Sequence, residues 1–257
     1  MIELRGVSYA YKGRRALGGV SLKVDKGEHV ALIGPNASGK TTLAMMMNAL
    51  LIPDEGDCIV DGVSTKDDVM HARKAVGMVF QDPESQIVSR RVGDDVAFGP
   101  INIGLSPGEI EIRVKEALAA VGMEGFIDRE VSGLSGGRKQ LLAIAGALAM
   151  RPSYVVMDEP TSLLDGRGRE AVGRAITNLK KAGIGITVIT HDMAEALQAD
   201  RIVALMDGRV VSDARPQAFF SDEAAMARIG VEPPYAFKLL QATGTHAIVD
   251  EVSRTCR

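Results

Sequence analysis

The chain has 257 residues, of which 46% are hydrophobic and 25% charged, a composition that suits a folded domain with a sizeable core and excludes a disordered polymer. Thirty basic against 33 acidic side chains leave a net charge of -3, so no overall basic field exists to hold nucleic acid. The longest apolar run, residues 141–150, is far shorter than the roughly 20 residues of a membrane span.

The N-terminal residues and the two cysteines give no sign of secretion. Residues 1–12 carry Glu3 and Arg5 and lack an apolar signal segment, so we expect a cytoplasmic protein. Cys58 and Cys256 lie far apart and match neither a disulfide framework nor a metal-ligand spacing. We expect Cys58 to be a small buried residue and Cys256 to be a thiol in the tail.

Short β-forming runs alternate with helix-forming segments in the first two thirds of the chain. Residues 2–7, 20–24 and 29–33 predict strands separated by glycines, and residues 41–50 predict a helix that Pro53 ends. The continuous apolar runs 154–157 and 186–190 predict strands buried on both faces. Parallel strands with helical crossovers are therefore the expected core.

The remaining segments complete an α/β prediction. Asp207-Gly208, between the β-forming runs 202–206 and 209–211, predicts a tight hairpin that closes the sheet. Residues 107–120 and 139–150 predict helices of a middle block, separated by the glycine-rich turn 132–137. Beyond about residue 221 we expect short helical pieces, with Pro233-Pro234 as a break.

A phosphate-binding motif lies between a predicted strand and a predicted helix. Residues 34–41 satisfy G-x-x-x-x-G-K-[ST] in the structural context that makes this motif credible. Its glycines let backbone N–H groups point at phosphate oxygens, while a lysine supplies charge and a hydroxyl can bind Mg²⁺. This phosphate loop is predicted to bind nucleotide through Gly34, Pro35, Asn36, Ala37, Ser38, Gly39, Lys40, Thr41 and Thr42.

Two carboxylates, Asp158 and Glu159, follow a predicted buried strand. Ligands of open parallel sheets bind at the carboxyl ends of the strands. We expect Asp158 to hold Mg²⁺, directly or through water, and Glu159 to orient or deprotonate the attacking water. An acidic pair alone is weak evidence, but a phosphate loop in the same chain strengthens it.

The order of further motifs resembles the ATPases of ATP-binding-cassette (ABC) transporters over residues 2–220. Leu134-Ser135-Gly136-Gly137-Arg138 is similar to the signature sequence of that family and is named the signature loop below. Phe80-Gln81-Asp82 matches the loop with a single glutamine, residues 162–165 match the D-loop, and His191 matches the switch histidine.

This resemblance implies a role for each matched residue. Ser135, Gly136 and Gly137 would bind the ATP of a partner subunit, with Asp165 at the same interface. Two chains would then sandwich two nucleotides head to tail. The resemblance also implies three further roles: Gln81 reaches Mg²⁺ and the attacking water, His191 bonds the γ-phosphate, and Tyr11 stacks on adenine.

Four positions depart from the family pattern. Ala37 replaces a glycine of the phosphate loop, which we expect to be tolerated if the residue keeps a negative φ. Arg138 replaces a glutamine and adds charge near a phosphate, so it bears on the turnover rate. Leu141 and Gly146 stand where arginines are frequent.

Three segments resemble the ATPases of energy-coupling-factor (ECF) transporters, namely 79–88, 94–100 and 143–149. In that group two ATPases, identical or related, bind a transmembrane T component, which joins a substrate-capturing S component. Vitamins or transition-metal ions such as cobalt and nickel are the usual cargo. The resemblance implies a peripheral protein of the cytoplasmic membrane face, with residues 86–99 as the docking groove, unless this segment is an ordinary solvated loop.

Several alternatives are weighed against this interpretation. A conventional importer ATPase fed by a separate binding protein is the main one, because most motifs are shared. A regulatory module that binds but does not hydrolyse ATP is disfavoured by Glu159 and His191. DNA-acting and translation-factor cassettes would need inserted coiled coils or a second cassette, and a small-molecule kinase has no use for the signature loop.

The expected architecture is a P-loop NTPase of the α/β class. It combines a mostly parallel core sheet, an antiparallel β subdomain and an inserted helical subdomain at about 86–150. We expect the ATPase domain to span residues 1–220 and a C-terminal extension to span 221–257, either supporting dimer contacts or capping the sheet.

Overall fold

The computed structural model describes residues 1–243, in which strands and helices alternate. The strands of this part are β1 (Ile2–Tyr11), β2 (Arg14–Val24), β3 (His29–Ile33), β4 (Glu55–Val60), β5 (Val63–Ser64), β6 (Val76–Val79), β7 (Tyr154–Asp158), β8 (Gly185–Ile189), β9 (Arg201–Met206) and β10 (Arg209–Ala214). The helices are α1 (Lys40–Met47), α2 (Val69–Ala75), α3 (Val92–Asn102), α4 (Pro107–Ala120), α5 (Gly136–Leu148), α6 (Gly166–Lys181), α7 (Met193–Ala196), α8 (Pro216–Ser221), α9 (Glu223–Ile229) and α10 (Tyr235–Thr243).

The core is a six-stranded sheet in the order β10-β9-β3-β8-β7-β6. The five strands from β9 to β6 are parallel, and every residue of β3, β7 and β8 is buried, as the continuous apolar runs predict. β10 returns antiparallel after Asp207 (φ 49°) and Gly208 (φ 71°), the left-handed pair of a type I′ turn. The predicted hairpin is thus confirmed.

A second, antiparallel sheet in the order β2-β1-β4-β5 forms the expected β subdomain. β1 runs four residues beyond the predicted end at Val7. Gly6 takes a positive φ of 58°, and the register shifts between Leu4 and Val7. The glycine therefore makes a bulge that bends the strand instead of ending it.

Helices cover both faces of the core sheet. Side chains of α1 share one apolar cluster with β1, β2 and one face of the core sheet, while α5 and α6 pack on the opposite face. The helices α3, α4 and α5 form the middle block. This arrangement is the α/β class with a parallel core sheet that the sequence predicts.

The helix after the phosphate loop is shorter than predicted. α1 ends at Met47 instead of reaching Leu50, because Ala49 takes a left-handed φ of 55° and the N–H groups of Leu50 and Leu51 donate to the carbonyl of Met45. This closure ends a helix before a proline is reached. The prediction that Pro53 ends the helix is wrong.

The start of α5 also differs from the prediction. The helix begins at Gly136 rather than near Arg138, because Ser135 is its N-cap residue and accepts a hydrogen bond from the Arg138 amide. The signature loop therefore includes the first turn of a helix.

The described part of the tail is helical, with Pro233-Pro234 between α9 and α10 as predicted. Phe219, Phe220 and Phe237 are buried together against residues of β3 and β9, so α8 to α10 share a core with the sheet. Cys58 is buried as expected, whereas Cys256 lies outside the described residues. The domain boundary at residue 220 stays a prediction.

Candidate functional site

The phosphate loop joins the end of β3 to the start of α1 at the carboxyl edge of the core sheet. Gly34 has a φ of 142°, and a Cβ there would lie 2.0 Å from the carbonyl oxygen of Leu205. Gly39 has a φ of 101°, and its Cβ would lie 2.6 Å from the carbonyl oxygen of Ala16. Only glycine fits these two positions.

The interior of this loop is prepared for an anion. The ammonium group of Lys40 is buried and donates to the carbonyl oxygens of Gly34 and Pro35 at 2.8 Å each. Burial lowers the pKa of Lys40 because desolvation disfavours the charged form. The buried hydroxyl of Ser38 has no hydrogen-bond partner among the described residues. The N-cap residue of α1 is Gly39, which has no side chain to cap the first amides of the helix. A phosphate would satisfy these donors.

Ala37 does not keep the negative φ that the sequence analysis expects. Its φ is 61°, in the left-handed region that costs a residue with a Cβ about 1 kcal/mol or more. The expectation of a negative φ at Ala37 is therefore wrong. The phosphate loop holds Ala37 in this conformation at some cost in stability.

The end of β7 places Asp158 next to the phosphate loop. Its carboxylate accepts a hydrogen bond from the Thr41 hydroxyl at 2.7 Å. Burial, together with the charge of Glu159, raises the pKa of Asp158. A hydroxyl and a carboxylate oxygen in contact form the donor set that Mg²⁺ prefers, so these two residues fit the predicted metal.

Glu159 brings the three predicted catalytic residues together. One carboxylate oxygen lies 3.0 Å from Nε2 of His191, and the other accepts from Nε2 of Gln81 at 3.0 Å. Glu159 has a φ of 48°, and its amide donates to the carbonyl of Ile189 at 3.0 Å. The three side chains follow three neighbouring strands, β6, β7 and β8, which is why they meet.

The same arrangement includes Ser162, whose hydroxyl accepts from Nε2 of Gln81 at 3.2 Å and donates to the Glu159 carbonyl at 3.0 Å. The sequence analysis places Ser162 in the D-loop without assigning it this contact. Because Ser162 follows Glu159 by three residues, its closeness in the chain is the one sequence feature that could have predicted this contact.

Two adjoining cavities open over these residues. One, of about 420 Å³, is lined by Tyr11, Glu159 and residues 36–42. The other, of about 510 Å³, is lined by residues 34–36, Gln81, Glu159, His191 and residues 229–231 of the tail. Both volumes are in the range of small-molecule sites. Asn36 and Glu159 line both cavities, so the two form one nucleotide-sized cleft.

Tyr11 lies at the mouth of the first cavity with 46% of its surface exposed. Its ring is held edge-to-face by Tyr9 at 4.8 Å between centroids, which leaves ring surface available for stacking on a base. Arg14 and Arg15 line the same cavity, and the sequence analysis missed them. Their position directly after the turn that follows Tyr11 was the available signal.

The predicted residues of the second nucleotide site lie elsewhere. Residues 135–137 do not belong to the linings of the two cavities described above. Gly137 instead packs on α6, where a Cβ would lie 2.9 Å from Gly168 Cα, and Asp165 caps α6 by accepting from the Gly168 amide at 2.8 Å. The signature loop and Asp165 therefore lie on either side of the contact between the start of α5 and the start of α6, and not at the phosphate loop.

The guanidinium group of Arg138 lies over the ring of Phe126, at 4.5 Å from its centroid. This contact directs the positive charge toward the middle helical block. At Gly146 nothing lies within 4 Å of an added Cβ, so the structure offers room for the side chain that is frequent there.

Residues 17–162 match the ABC transporter family. A cobalt import ATP-binding protein of Syntrophus aciditrophicus is 47% identical over 93% of this chain and 87% of its own length. An ECF transporter ATP-binding protein of Clostridium novyi is 44% identical over 97% of this chain and 93% of its own length.

Solved structures agree with these matches. A Clostridium perfringens protein described as part of an ABC transporter complex superposes with a TM-score of 0.80 at 32% identity, over 93% of this chain and 98% of that chain. A dimeric ATP-binding cassette with ADP and phosphate bound gives a TM-score of 0.74 at 30% identity, over 84% of this chain and 99% of that chain. This chain is thus a member of the ABC transporter family and resembles ECF transporter ATP-binding proteins over nearly all of its length.

Proposed function

We propose that the protein binds and hydrolyses ATP to energise an importer of the ECF type, with a vitamin or a transition-metal ion such as cobalt or nickel as cargo. The observation that carries ATP hydrolysis is the contact of Glu159 with both Gln81 and His191 beside the phosphate loop. A cassette that only bound nucleotide would have no need for a carboxylate held at this place. The type of importer and the class of cargo are supported by the similarity to ECF and cobalt import ATP-binding proteins.

The residues of the site divide the task of hydrolysis. Lys40 and the loop amides hold the phosphates, and Tyr11 supports the base. Glu159 takes the proton of the attacking water, and its contacts with His191 and Gln81 fix the direction of its carboxylate. His191 would also bond the γ-phosphate, and Gln81 would reach the attacking water. When bound, Mg²⁺ would neutralise phosphate charge, and Thr41, Asp158 and Gln81 are the residues to hold it.

A second ATPase subunit, identical or related, completes the site in this proposal. Ser135, Gly136, Gly137 and Asp165 would meet the nucleotide that the partner subunit binds. The dimeric state of a related cassette with ADP and phosphate supports this arrangement. Bound ATP then joins the two subunits. Because the related dimer still holds ADP and phosphate, the subunits would separate only after hydrolysis, when these products leave.

A transmembrane T component and a substrate-binding S component are the proposed membrane partners, which place the protein at the cytoplasmic face of the membrane. Within residues 1–243, no helix is both long and apolar enough to cross a bilayer. The proposed docking groove at 86–99 carries the exposed apolar side chains Val88 and Phe98, with Ile101 just beyond it. Phe98 and Ile101 are three residues apart on α3 and so share one face of that helix, and an exposed apolar face favours a protein partner.

The role of Glu159 is tested by Glu159→Gln, which keeps the shape of the side chain but removes the base. We expect ATP binding to persist and hydrolysis to fall by at least about 100-fold, so that an ATP-bound dimer accumulates on size-exclusion chromatography. Glu111→Gln, at an exposed carboxylate that pairs with Lys115 on α4, is the matched control. Wild-type turnover in Glu159→Gln would contradict the role of Glu159.

Affinity purification from native membranes in mild detergent tests the type of importer. Recovery of a T component with a small hydrophobic S component supports the proposal and identifies the class of cargo. Recovery of two permease subunits with a separate binding protein would instead identify a conventional importer.

A further inference from the structure

Glu195, a glutamate outside the family motifs, links the loop that follows β7 and carries Glu159 with the loop that follows β8 and carries His191. Glu195 lies in α7, and its two carboxylate oxygens accept hydrogen bonds from two different hydroxyls. Oε1 accepts from Thr161, and Oε2 accepts from Thr190 at 2.7 Å. Both threonines are buried, with 5% and 3% of their surface exposed, while Glu195 is half-buried.

Each threonine belongs to a turn that carries a catalytic residue. Thr190 precedes His191, and its hydroxyl also accepts from the amide of Asp192 at 2.9 Å. The turn that presents His191 is therefore closed by a hydroxyl whose own proton is committed to Glu195.

On the other side, Thr161 follows Glu159 by two residues. Its carbonyl accepts from the Leu164 amide at 3.1 Å, which holds the turn after Glu159. Glu159 itself has the positive φ of 48° noted above. A non-glycine residue in that region persists only where surrounding bonds fix it.

A carboxylate suits both ends of this bridge better than an amide does. Both threonine hydroxyls donate to Glu195 here, and a carboxylate can accept at both ends. The Thr190 hydroxyl already accepts from the Asp192 amide, which commits its own proton to Glu195. Glutamine has the same shape, but its NH₂ end donates. Hydrogen bonds to an ionised acceptor are also about twice as strong as neutral ones.

We propose that Glu195 is a positioning residue that fixes His191 relative to Glu159 during ATP hydrolysis. This inference rests on the roles proposed above for Glu159 and His191. Glu195 touches neither of them directly, and it acts through Thr161 and Thr190.

Steady-state ATP hydrolysis by Glu195→Gln tests the proposal. We expect kcat to fall on the order of tenfold, because small displacements of catalytic groups are costly, while KM for ATP stays within about twofold. The matched control is Glu170→Gln. Glu170 lines the same cleft of about 380 Å³ as Glu195, but its ion pair is with Arg174, and its turnover should equal that of the wild type.

Variants of Thr190 test whether a loss of turnover comes from misplaced catalytic residues or from unfolding. Thr190→Val removes the hydroxyl and should lower kcat to a similar extent, whereas Thr190→Ser should restore most of the lost turnover. The double variant Glu195→Gln with Thr190→Val should lose little more turnover than either single variant, because both substitutions disrupt the same hydrogen-bonded bridge. Activities are normalised to the fraction of protein that binds ATP, so that unfolding does not contribute.

Wild-type kcat in Glu195→Gln, or a loss confined to KM, would overturn the proposal. Independent, additive losses in the double variant would overturn it as well. Wild-type turnover in Glu159→Gln would remove the proposed catalytic base and this inference together. Wild-type turnover in Glu195→Gln beside an inactive Glu159→Gln would remove the inference alone.

Discussion

The phosphate loop and the signature loop are both glycine-rich segments that begin a helix, yet the two helix starts are finished differently. The N-cap residue of α1, Gly39, makes no side-chain cap, so its first amides are left for a ligand. The N-cap residue of α5, Ser135, accepts from the Arg138 amide in its own helix. At the phosphate loop the first helix amides are therefore left for a ligand in the chain's own cleft. At the signature loop, one of the first helix amides already has a hydrogen-bond partner within the chain.

Charge placement differs in the same way. The ammonium of Lys40 is buried inside the phosphate loop, whereas the guanidinium of Arg138 lies on Phe126 outside the signature loop. In the proposed ATP-bound dimer, the phosphate loop would bind the phosphates of its own nucleotide, and the signature loop would supply part of the partner's site. A partner nucleotide is what would give the signature loop its function.

The largest effect is expected from Gly34→Ala, because the added Cβ would lie 2.0 Å from the Leu205 carbonyl oxygen. We expect the loop to be displaced and ATP affinity to fall by more than about 100-fold, as measured by isothermal titration calorimetry. Gly62→Ala is the control, since Gly62 also has a positive φ, of 88°, but nothing lies within 4 Å of its Cβ. Unchanged affinity in Gly34→Ala would show that the cradle does not depend on this close approach.

The next effect is expected from Ser135→Arg, which would fill the signature loop with a long side chain. Hydrolysis should fall by at least about tenfold, while the monomer keeps its ATP affinity within about twofold, because the phosphate loop is untouched. Ser132→Arg, at an exposed position three residues earlier, controls for added charge. Equal loss of monomer affinity would place Ser135 in its own subunit's site and erase the difference between the two loops.

Local signals explain which elements could be predicted from the sequence. α4 spans Pro107–Ala120 as predicted, because Ser106 caps it and Pro107 suits the first helical position. β3 spans His29–Ile33 as predicted, because glycines bound an apolar run. Elements with such signals at both ends need no knowledge of distant residues.

The convergence of Gln81, Glu159 and His191 could not be obtained from residue patterns alone. It depends on the strand order β8-β7-β6, which is set by pairing between distant segments. Only the family resemblance carried that information. The positive φ of Ala37 and the closure of α1 at Ala49 were likewise invisible, because surrounding contacts override the preference of alanine for negative φ.

Arg138→Gln sharpens the comparison at the level of charge. We expect the free energy of unfolding to fall by about 0.5–1 kcal/mol, because the contact with Phe126 is lost, and turnover to change by less than about threefold. Arg138→Lys keeps the positive charge and loses only the planar stacking group, so it should lower the free energy of unfolding by less than Arg138→Gln does in chemical denaturation. A large change of turnover in Arg138→Gln alone would mean that the charge acts on a phosphate.

The smallest effect is expected from Ala37→Gly, which tests whether the phosphate loop holds its alanine under strain. Because Ala37 is exposed with a φ of 61°, glycine should raise the free energy of unfolding by about 0.5–1 kcal/mol. Ala119→Gly, at an exposed position within α4, should lower it by a similar amount, because glycine weakens a helix interior. Opposite signs in urea denaturation would locate the strain in the phosphate loop. A loss of stability in both variants would mean that Ala37 is not strained, and that the loop depends on its methyl group.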